Sequence, residues 1–233
     1  MASEVDICNL MVARIGDEAN ISEIDPPDGS IQAEHCARFY PIARDTLLEM
    51  HDWNFATKRV PLTPTTLPSN AGFLYAYLVP ANTIRVIAVL PPDAPDNYSA
   101  NLGAIPGYRS YGPSDYENAS DLLAAKTAYM PQDFAIESLE DGTQIILTNM
   151  EQASARVTFR VTDTTKFSPM FIDTLGWYGA SMVAGPMIKG DVGAAESKRC
   201  LQFAMALLKQ ATASDARQQQ IRPQQNVPWI GNR

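Results

Sequence analysis

The sequence predicts an α+β fold: N- and C-terminal helices form one bundle, an antiparallel β-sheet or barrel-like domain is inserted between them, and an extended C-terminal arm follows. Three observations predict this arrangement. Residues 1–58 and 167–216 carry apolar residues at helical spacing. Residues 59–166 contain five segments that alternate apolar and polar residues or are rich in β-branched residues, separated by prolines, glycines and a long loop. Residues 217–233 follow neither period, so they cannot bury themselves in a core.

The composition excludes several classes of protein. The 233 residues include 18 Lys and Arg against 26 Asp and Glu, a formal net charge of −8, which argues against a protein whose main task is to grip phosphate backbones. The first residues carry acids and no basic region ahead of their apolar run, which is not the pattern of a secretory signal. No stretch approaches the roughly 18–20 continuous apolar residues of a membrane span. We therefore expect a soluble, acidic protein made inside the cell.

The N-terminal region begins with two predicted helices. Ser3 can cap the first helix, acids fill its first turn, where the helix dipole favours them, and Gly16 ends it. Ser30 opens a longer second helix that reaches about Asp52. Pro41 lies inside this second helix and cannot donate a backbone hydrogen bond, so a kink or a break is expected there.

The middle of the chain predicts a β-domain. Its first residues, 59–72, are rich in proline, which excludes a helix. Asp141-Gly142 is expected to form the turn of a hairpin, and residues 91–120, rich in Pro, Gly, Asn, Ser and Tyr, are expected to form a long loop. Alternation or β-branched content predicts strands over residues 73–79, 83–90, 134–138, 143–149 and 156–162.

The last of these strands alternates most regularly. Val157, Phe159 and Val161 are expected to face one side of the sheet, and the polar residues beside them are expected to face the other side. This alternation indicates a β-domain.

From Pro169 onward the sequence again predicts helices. Residues 171–188 are nearly uncharged, so this helix is expected to be buried on several sides, and its three glycines permit close packing. A last helix starts at Gly190 or Asp191 and runs to about Ala216. Because helices precede and follow the β-domain, they are expected to pack together across it.

The residue types that carry chemistry are few and scattered. Cys8, Cys36 and Cys200 lie in predicted helices among apolar residues, and we expect them to be buried and reduced. His35 and His51 are isolated in the sequence, so we expect an ordinary helix-surface and an ordinary helix-end histidine. These patterns predict no catalytic, cofactor-binding or metal-ligating residue.

One group of acids leaves an alternative function open. Glu137, Glu140 and Asp141 flank the predicted hairpin turn, where acids are ordinarily solvated. Glycoside hydrolysis needs two carboxylates facing each other across a cleft, and the sequence cannot show such an arrangement. The alternative is a carbohydrate-active protein, either a cell-wall hydrolase or a glycan-binding module, with its site at loop 91–120.

Two segments are candidates for binding a partner. The arm carries large apolar residues in a Gln- and Pro-rich context, so it is either a frayed terminus or a segment that orders on a partner with Trp as its anchor. The loop is rich in tyrosine, which either covers the sheet or forms a docking surface. The candidate interface residues are Ile221, Arg222, Trp229, Ile230 and Arg233 in the arm, and Tyr108 and Tyr111 in the loop.

Four segments, in order, carry a family resemblance. They read ICNLMVARIG at 7–16, FYPIARDTLLEMHDWNFATKR at 39–59, YAYLVPANTIRVIAV at 75–89 and ILTNMEQASARVTFRVTDTTKFSPMFIDTLGWYGASMVAGPMIKG at 146–190. With them the chain resembles the head-to-tail adaptors of short-tailed phages (podoviruses), the tail tubular protein A family. The resemblance covers most of the chain and is weakest over 91–133 and beyond 217.

The resemblance implies a structural virion protein rather than an enzyme. Copies would form a homo-dodecameric ring between the portal protein and the tail nozzle (tail tubular protein B), and DNA would pass through the lumen without sequence-specific binding. The helical bundle would dock on the portal, the β-domain would face the nozzle, and the arm would reach along neighbouring subunits or the portal. Arg44, Trp53 and Phe55 would be packing residues. An acidic lumen would reduce phosphate adhesion, so DNA would be cargo rather than ligand.

Overall fold

The computed structural model describes residues 2–69, 72–90 and 133–218. Within them it combines α-helices with antiparallel sheets, which confirms the α+β class. The described chain divides into two compact units, named here the helical unit (residues 2–57 and 158–218) and the β unit (residues 58–69, 72–90 and 133–157). The expectations for loop 91–120, and for the arm beyond Gln218, fall outside the described residues.

Four α-helices and one 3₁₀-helix lie among the described residues: α1 (Glu4–Arg14), α2 (Ile31–Met50), the 3₁₀-helix (Thr164–Lys166), α3 (Pro169–Ile188) and α4 (Gly190–Ala216). Ser3 caps α1, because its hydroxyl accepts the backbone N–H of Asp6 and the Asp6 carboxylate accepts that of Ser3, at 3.1 and 2.8 Å. Ser30 and Ser168 cap α2 and α3 through their hydroxyls. The predicted helix starts are confirmed.

The expected break at Pro41 is wrong. Helix α2 runs as one element through Pro41. Pro41 lies on the exposed side of the helix, whereas Tyr40 and Ala43 are buried. Water can therefore reach the side of the helix where the proline removes a backbone donor, and the packed residues on the other side keep the helix continuous.

Helix α3 occupies the core of the helical unit, as its uncharged sequence predicted. Leu175, Ala180 and Val183 are fully buried, and α3 packs against α1, α2 and α4. A Cβ built on Gly179 would overlap the side chain of Met11 in α1, which confirms the close packing expected at this glycine. Within the described residues, no helix is both long enough and apolar enough to cross a membrane.

Aromatic side chains fill the space beside α3. Phe171 of α3 packs edge-on against Trp53 and Phe55, with ring centroids 5.0 and 5.1 Å away, and Phe167 packs against Phe171 at 4.8 Å. Trp53 is fully buried and donates its indole N–H to the carbonyl oxygen of Leu47 at 2.8 Å. Trp53 is therefore a packing residue, as the resemblance implied.

Seven strands form two sheets within the described residues. The first sheet has the order β1–β7–β4 and the second has the order β2–β3–β6–β5. Strands β1 and β2 lie mostly in the proline-rich start of the predicted β-domain, where no strand was predicted. Their prolines, Pro61 and Pro64, stand at the end of β1 and in the edge strand β2, where a missing donor is tolerated. The strands are β1 (Thr57–Pro61), β2 (Thr63–Thr65), β3 (Tyr75–Leu78), β4 (Thr83–Leu90), β5 (Phe134–Ser138), β6 (Gln144–Thr148) and β7 (Ser154–Phe159).

The predicted hairpin is confirmed. Strands β5 and β6 pair antiparallel, and Ser138 stands opposite Gln144. The turn closes through a hydrogen bond from the Leu139 N–H to the Thr143 carbonyl oxygen at 2.9 Å, and Gly142 has φ of +82°, a backbone conformation that favours glycine.

Strand β7 ends earlier than predicted, and one residue on its polar side is buried. Val157 and Val161, which were expected on the same side, are both buried, and Phe159 between them is half-buried. Thr158, which was expected on the other side, is fully buried, and because successive side chains of a strand point to opposite faces, both faces of β7 are covered at Val157 and Thr158. The Thr158 hydroxyl lies 3.4 Å from the Asp52 carboxylate, and this contact gives the buried oxygen a partner.

Candidate assembly surface of the helical unit

The described structure does not include the residues that the sequence proposed as a partner interface. It does contain α4, the helix from which the arm continues. The surface of the helical unit is therefore the part of the candidate interface that can be described. Ile221, Arg222, Trp229, Ile230, Arg233, Tyr108 and Tyr111 all lie outside the described residues.

The fully buried residues of α4 lie along one narrow line. The helix is 27 residues long, and its buried residues recur at intervals of seven and four. This spacing places them on a single line down the helix. Most are small, so α3 approaches α4 closely there, while the other residues of α4 are partly or largely exposed. The buried residues are Gly193, Cys200, Ala204, Ala211 and Asp215.

A second line of apolar residues runs along α4 and faces solvent. Leu201 and Met205 are 38% and 36% exposed, Leu208 is partly exposed, and Ala194 is exposed. Their spacing of seven, four and three residues puts them on one side of the helix, about a quarter turn from the buried line. We name these four residues the α4 stripe. Apolar residues at this spacing are typical of a helix that packs against another element.

On the other side of α4, charged and aromatic side chains fix the helix to its neighbours. The Arg14 guanidinium lies 4.5 Å from the ring centre of Trp177, and Arg199 lies 5.7 Å from it. Phe203 packs on Trp177 with ring centroids 5.0 Å apart. Arg199 forms an ion pair with Glu196, and the hydrogen bonds from Arg199 hold the pKa of that carboxyl below its usual range. The contacts of Arg199 and Phe203 with Trp177 join α4 to α3, and a hydrogen bond from Arg199 to the Arg14 carbonyl oxygen at 3.3 Å joins α4 to α1. The α4 stripe therefore lies on a helix that is packed in its unit.

Helix α2 carries the second exposed apolar surface of the helical unit. Ile31 and Ile42 are 67% and 52% exposed and lie on the side of α2 opposite its buried residues. Glu34, Arg38 and Glu49 are exposed on the same side. We name these five residues the α2 face. Their spacing of three, four, four and seven residues keeps them in line.

The C-terminal end of α4, where the arm begins, is held by hydrogen bonds to Asp215, a buried acid. Asp215 is 4% exposed, and its carboxylate accepts the backbone N–H of Asn54 at 3.1 Å. The Asn54 amide donates to the Asp215 carbonyl oxygen at 2.7 Å. His51 Nε2 lies 3.3 Å from the carboxylate, close enough for an ion pair when the imidazole is protonated, although off the line of a hydrogen bond. An acid at a helix C-terminus opposes the helix dipole, so these partners are what stabilise it there.

The histidines and cysteines lie where the sequence predicted. His51 is the C-terminal cap of α2, and His35 lies on α2 beside Phe39. Cys8, Cys36 and Cys200 are all fully buried. A hydrogen bond with Cys36 and burial raise the pKa of the Cys8 thiol, and burial raises that of Cys200. Since the thiolate is the reactive form, Cys8 and Cys200 are held in the unreactive state.

The acids of the hairpin turn are solvated. Glu137, Glu140 and Asp141 are exposed. Hydrogen bonds from Thr143 hold the pKa of Asp141 below its usual range, whereas a general acid for glycoside cleavage needs a raised pKa. In the part of the chain that the structure describes, no group of three or more His, Cys, Asp or Glu side chains is placed to hold a metal ion.

No protein-family model matches the chain, and no curated protein matches it either. The resemblance to phage adaptors therefore stays a prediction from the four ordered segments. The α4 stripe and the α2 face are the features of the described structure from which a function can be argued.

Proposed function

We propose that the protein is a structural virion protein, a head-to-tail adaptor whose copies form a ring between the portal protein and the tail nozzle. The phage genome passes through this ring. The observation that carries the proposal is the α4 stripe, a line of exposed apolar side chains on a helix that is otherwise fixed in its unit. Fully burying a Leu or Met side chain contributes about 1.5–3 kcal/mol, so covering the partly exposed Leu201 and Met205 favours assembly with another surface.

The two units and the arm suit different partners. Following the resemblance, the helical unit meets the portal protein and the neighbouring copies, and the β unit meets the nozzle (tail tubular protein B). The arm begins at the end of α4, where Asp215 holds the helix against Asn54. This attachment supports an arm that starts from a defined position and reaches toward a neighbour or the portal.

The charge suits a conduit for DNA. A net charge of −8 opposes strong adhesion of phosphates, so DNA passes as cargo without sequence-specific binding. The protein acts through geometry in this proposal: it holds two other proteins in line and leaves an opening between them. Its place is the virion, at the junction of head and tail.

Co-assembly with the cognate portal tests the proposal. The purified protein is mixed with portal and examined by sedimentation velocity and electron microscopy, and ring-shaped complexes are expected. Leu201→Glu with Met205→Glu should weaken co-assembly about tenfold or more, because charges would replace the exposed apolar side chains. Gln210→Glu is the matched control, since it adds charge at an exposed position of the same helix on a side away from the α4 stripe. A mixture that yields only separate components would refute the adaptor function.

The carbohydrate-active alternative is tested separately. Zymography on peptidoglycan is expected to show no clearing around the wild-type protein. Clearing that disappears in Glu137→Gln or Glu140→Gln would replace the adaptor proposal by a hydrolase.

A further inference from the structure

The helical unit carries two exposed apolar surfaces that differ in charge. Leu201 and Met205 of the α4 stripe have exposed lysines beside them, Lys198 and Lys209. The α2 face instead surrounds Ile31 and Ile42 with Glu34 and Glu49, and with Arg38 as its one base. Each surface therefore combines an apolar centre with charges of predominantly one sign.

This difference decides which surfaces match. Two α4 stripes brought together would set lysines against lysines, and two α2 faces would set glutamates against glutamates. Like charges across an interface are unfavourable, whereas an α4 stripe on an α2 face sets Lys198 and Lys209 against Glu34 and Glu49. Charge complementarity thus favours contact between two different surfaces.

A single copy cannot make this contact within itself. Helices α2 and α4 both pack on α3, and each uses its buried side to do so. The α2 face points away from that packing, and the α4 stripe lies outside the buried line of α4. The two helices are 20 and 27 residues long, about 30 and 40 Å, so both are long enough to receive a neighbouring helix.

We propose that the α4 stripe of one copy packs against the α2 face of the next copy. Contacts between two different surfaces run head to tail, and they close into a ring when the rotation between successive copies permits it. The inference rests on the proposed adaptor function, because it identifies the surfaces through which the copies of that ring meet.

Site-directed cross-linking tests this pairing. Leu201→Cys and Ile42→Cys each place a thiol at an exposed position, while the three native cysteines are fully buried. Rings assembled on portal are treated with a short bismaleimide and resolved by denaturing electrophoresis. The double variant is expected to give a ladder of cross-linked chains. An equal mixture of the two single variants is expected to give cross-linked dimers, and each single variant alone is expected to stay monomeric.

Charge reversal provides a second, independent measurement. Lys198→Glu with Lys209→Glu should weaken assembly about tenfold, and Glu34→Lys with Glu49→Lys should restore it when both pairs are present in one chain. Gln210→Glu, at an exposed position of α4 outside the stripe, is the matched control and should leave assembly unchanged.

The outcomes separate this inference from the proposed function. Rings on portal without a ladder from the double variant would overturn the α4–α2 pairing and leave the adaptor function intact. Failure of the wild type to form rings would overturn the adaptor function itself. Dimers from Leu201→Cys alone would show an α4–α4 contact and also overturn the pairing. If Leu201→Cys reacts with maleimide in the monomer only after residues 219–233 are removed, the arm of the same chain covers the stripe, and the pairing is wrong.

Discussion

Helices α3 and α4 follow one another in the chain, yet they use their apolar residues in opposite ways. Helix α3 buries nine of its 20 residues, whereas α4 buries five of its 27. Leucines illustrate the contrast, since Leu175 of α3 is fully buried and Leu201 of α4 is 38% exposed. The contrast teaches that α3 stabilises the single chain, while much of the apolar surface of α4 stays in contact with water in the single chain and is the surface that the proposed assembly would cover.

The strongest test of this contrast compares two leucines. Leu175→Ala should lower the free energy of unfolding by about 2–5 kcal/mol, because it leaves a cavity in the core. Leu201→Ala should lower it by less than about 1 kcal/mol, because the side chain is already partly in water. Urea denaturation of the isolated protein, followed by circular dichroism, measures both values.

The same pair of variants also distinguishes folding from assembly. Leu201→Ala should weaken ring formation on portal while the subunit stays folded. If Leu201→Ala instead destabilises the isolated subunit as much as Leu175→Ala does, the contrast between the two helices is wrong, and Leu201 serves the core of its own chain.

A smaller effect is expected from the glycines of α3. Gly179→Ala should lower the free energy of unfolding by roughly 1–3 kcal/mol, because the added methyl group would overlap Met11, which is itself fully buried and has little room to move. Thermal melts of the two variants and the wild type provide the measurement.

Gly185→Ala is the matched control in the same helix. Among the described residues, leaving out its chain neighbours and the backbone of its own helix, no atom lies within 4 Å of a Cβ built on Gly185, so an alanine there would overlap no packed side chain. Pro186 follows directly and disfavours a helical backbone for a preceding residue that carries a Cβ, which offsets the helix propensity that alanine gains. The free energy of unfolding should therefore change by less than about 1 kcal/mol in either direction. Equal destabilisation at both positions would contradict the close contact between α1 and α3.

The smallest effect concerns the ion pair between Glu196 and Arg199, which lies within α4. Hydrogen bonds from Arg199 lower the pKa of Glu196, so the carboxylate stabilises the folded state above the ordinary glutamate pKa of about 4.3. This contribution disappears as the pH falls through the lowered pKa. Glu196→Gln should therefore be slightly less stable than the wild type at pH 7, and the difference between the two urea midpoints should shrink by pH 3.

Glu151→Gln, at an exposed turn of the β unit, is the control for this pH series. Its urea midpoint should follow that of the wild type across the same range. If the difference in urea midpoint between Glu196→Gln and the wild type stays constant from pH 7 to pH 3, the Glu196 charge does not stabilise the folded state.

Local signals in the sequence predicted most of the secondary structure. Ser3 and Ser30 gave the starts of α1 and α2 because a serine hydroxyl can satisfy an amide at the first helical turn. The Asp141-Gly142 turn gave the hairpin because glycine adopts positive φ without strain. Strands β1 and β2 were missed because proline lacks the backbone N–H that a strand uses for pairing. Only the structure shows that both are edge strands, where one missing hydrogen-bond donor is tolerated.

The candidate assembly surface was harder to predict. The spacing of apolar residues predicted helix α4, but spacing does not say which of several apolar lines on one helix faces the chain's own core. Gly193, Cys200 and Ala204 form the inward line because small residues let α3 approach closely. The hydrogen bond between Asp215 and Asn54 joins residues 161 positions apart, and no local sequence pattern predicts it.

By itself the sequence determined the α+β class, the caps and most element bounds, because these depend on backbone preferences and on hydrophobic period over a few residues. It also determined the acidic net charge of −8. Only the tertiary structure decided that α3 lies in the core of the helical unit, that the fully buried residues of α4 form one narrow line, and that the α4 stripe and the α2 face stay exposed. The physical reason is that burial is a property of what packs on a side chain, and the elements that pack together here come from opposite ends of the chain.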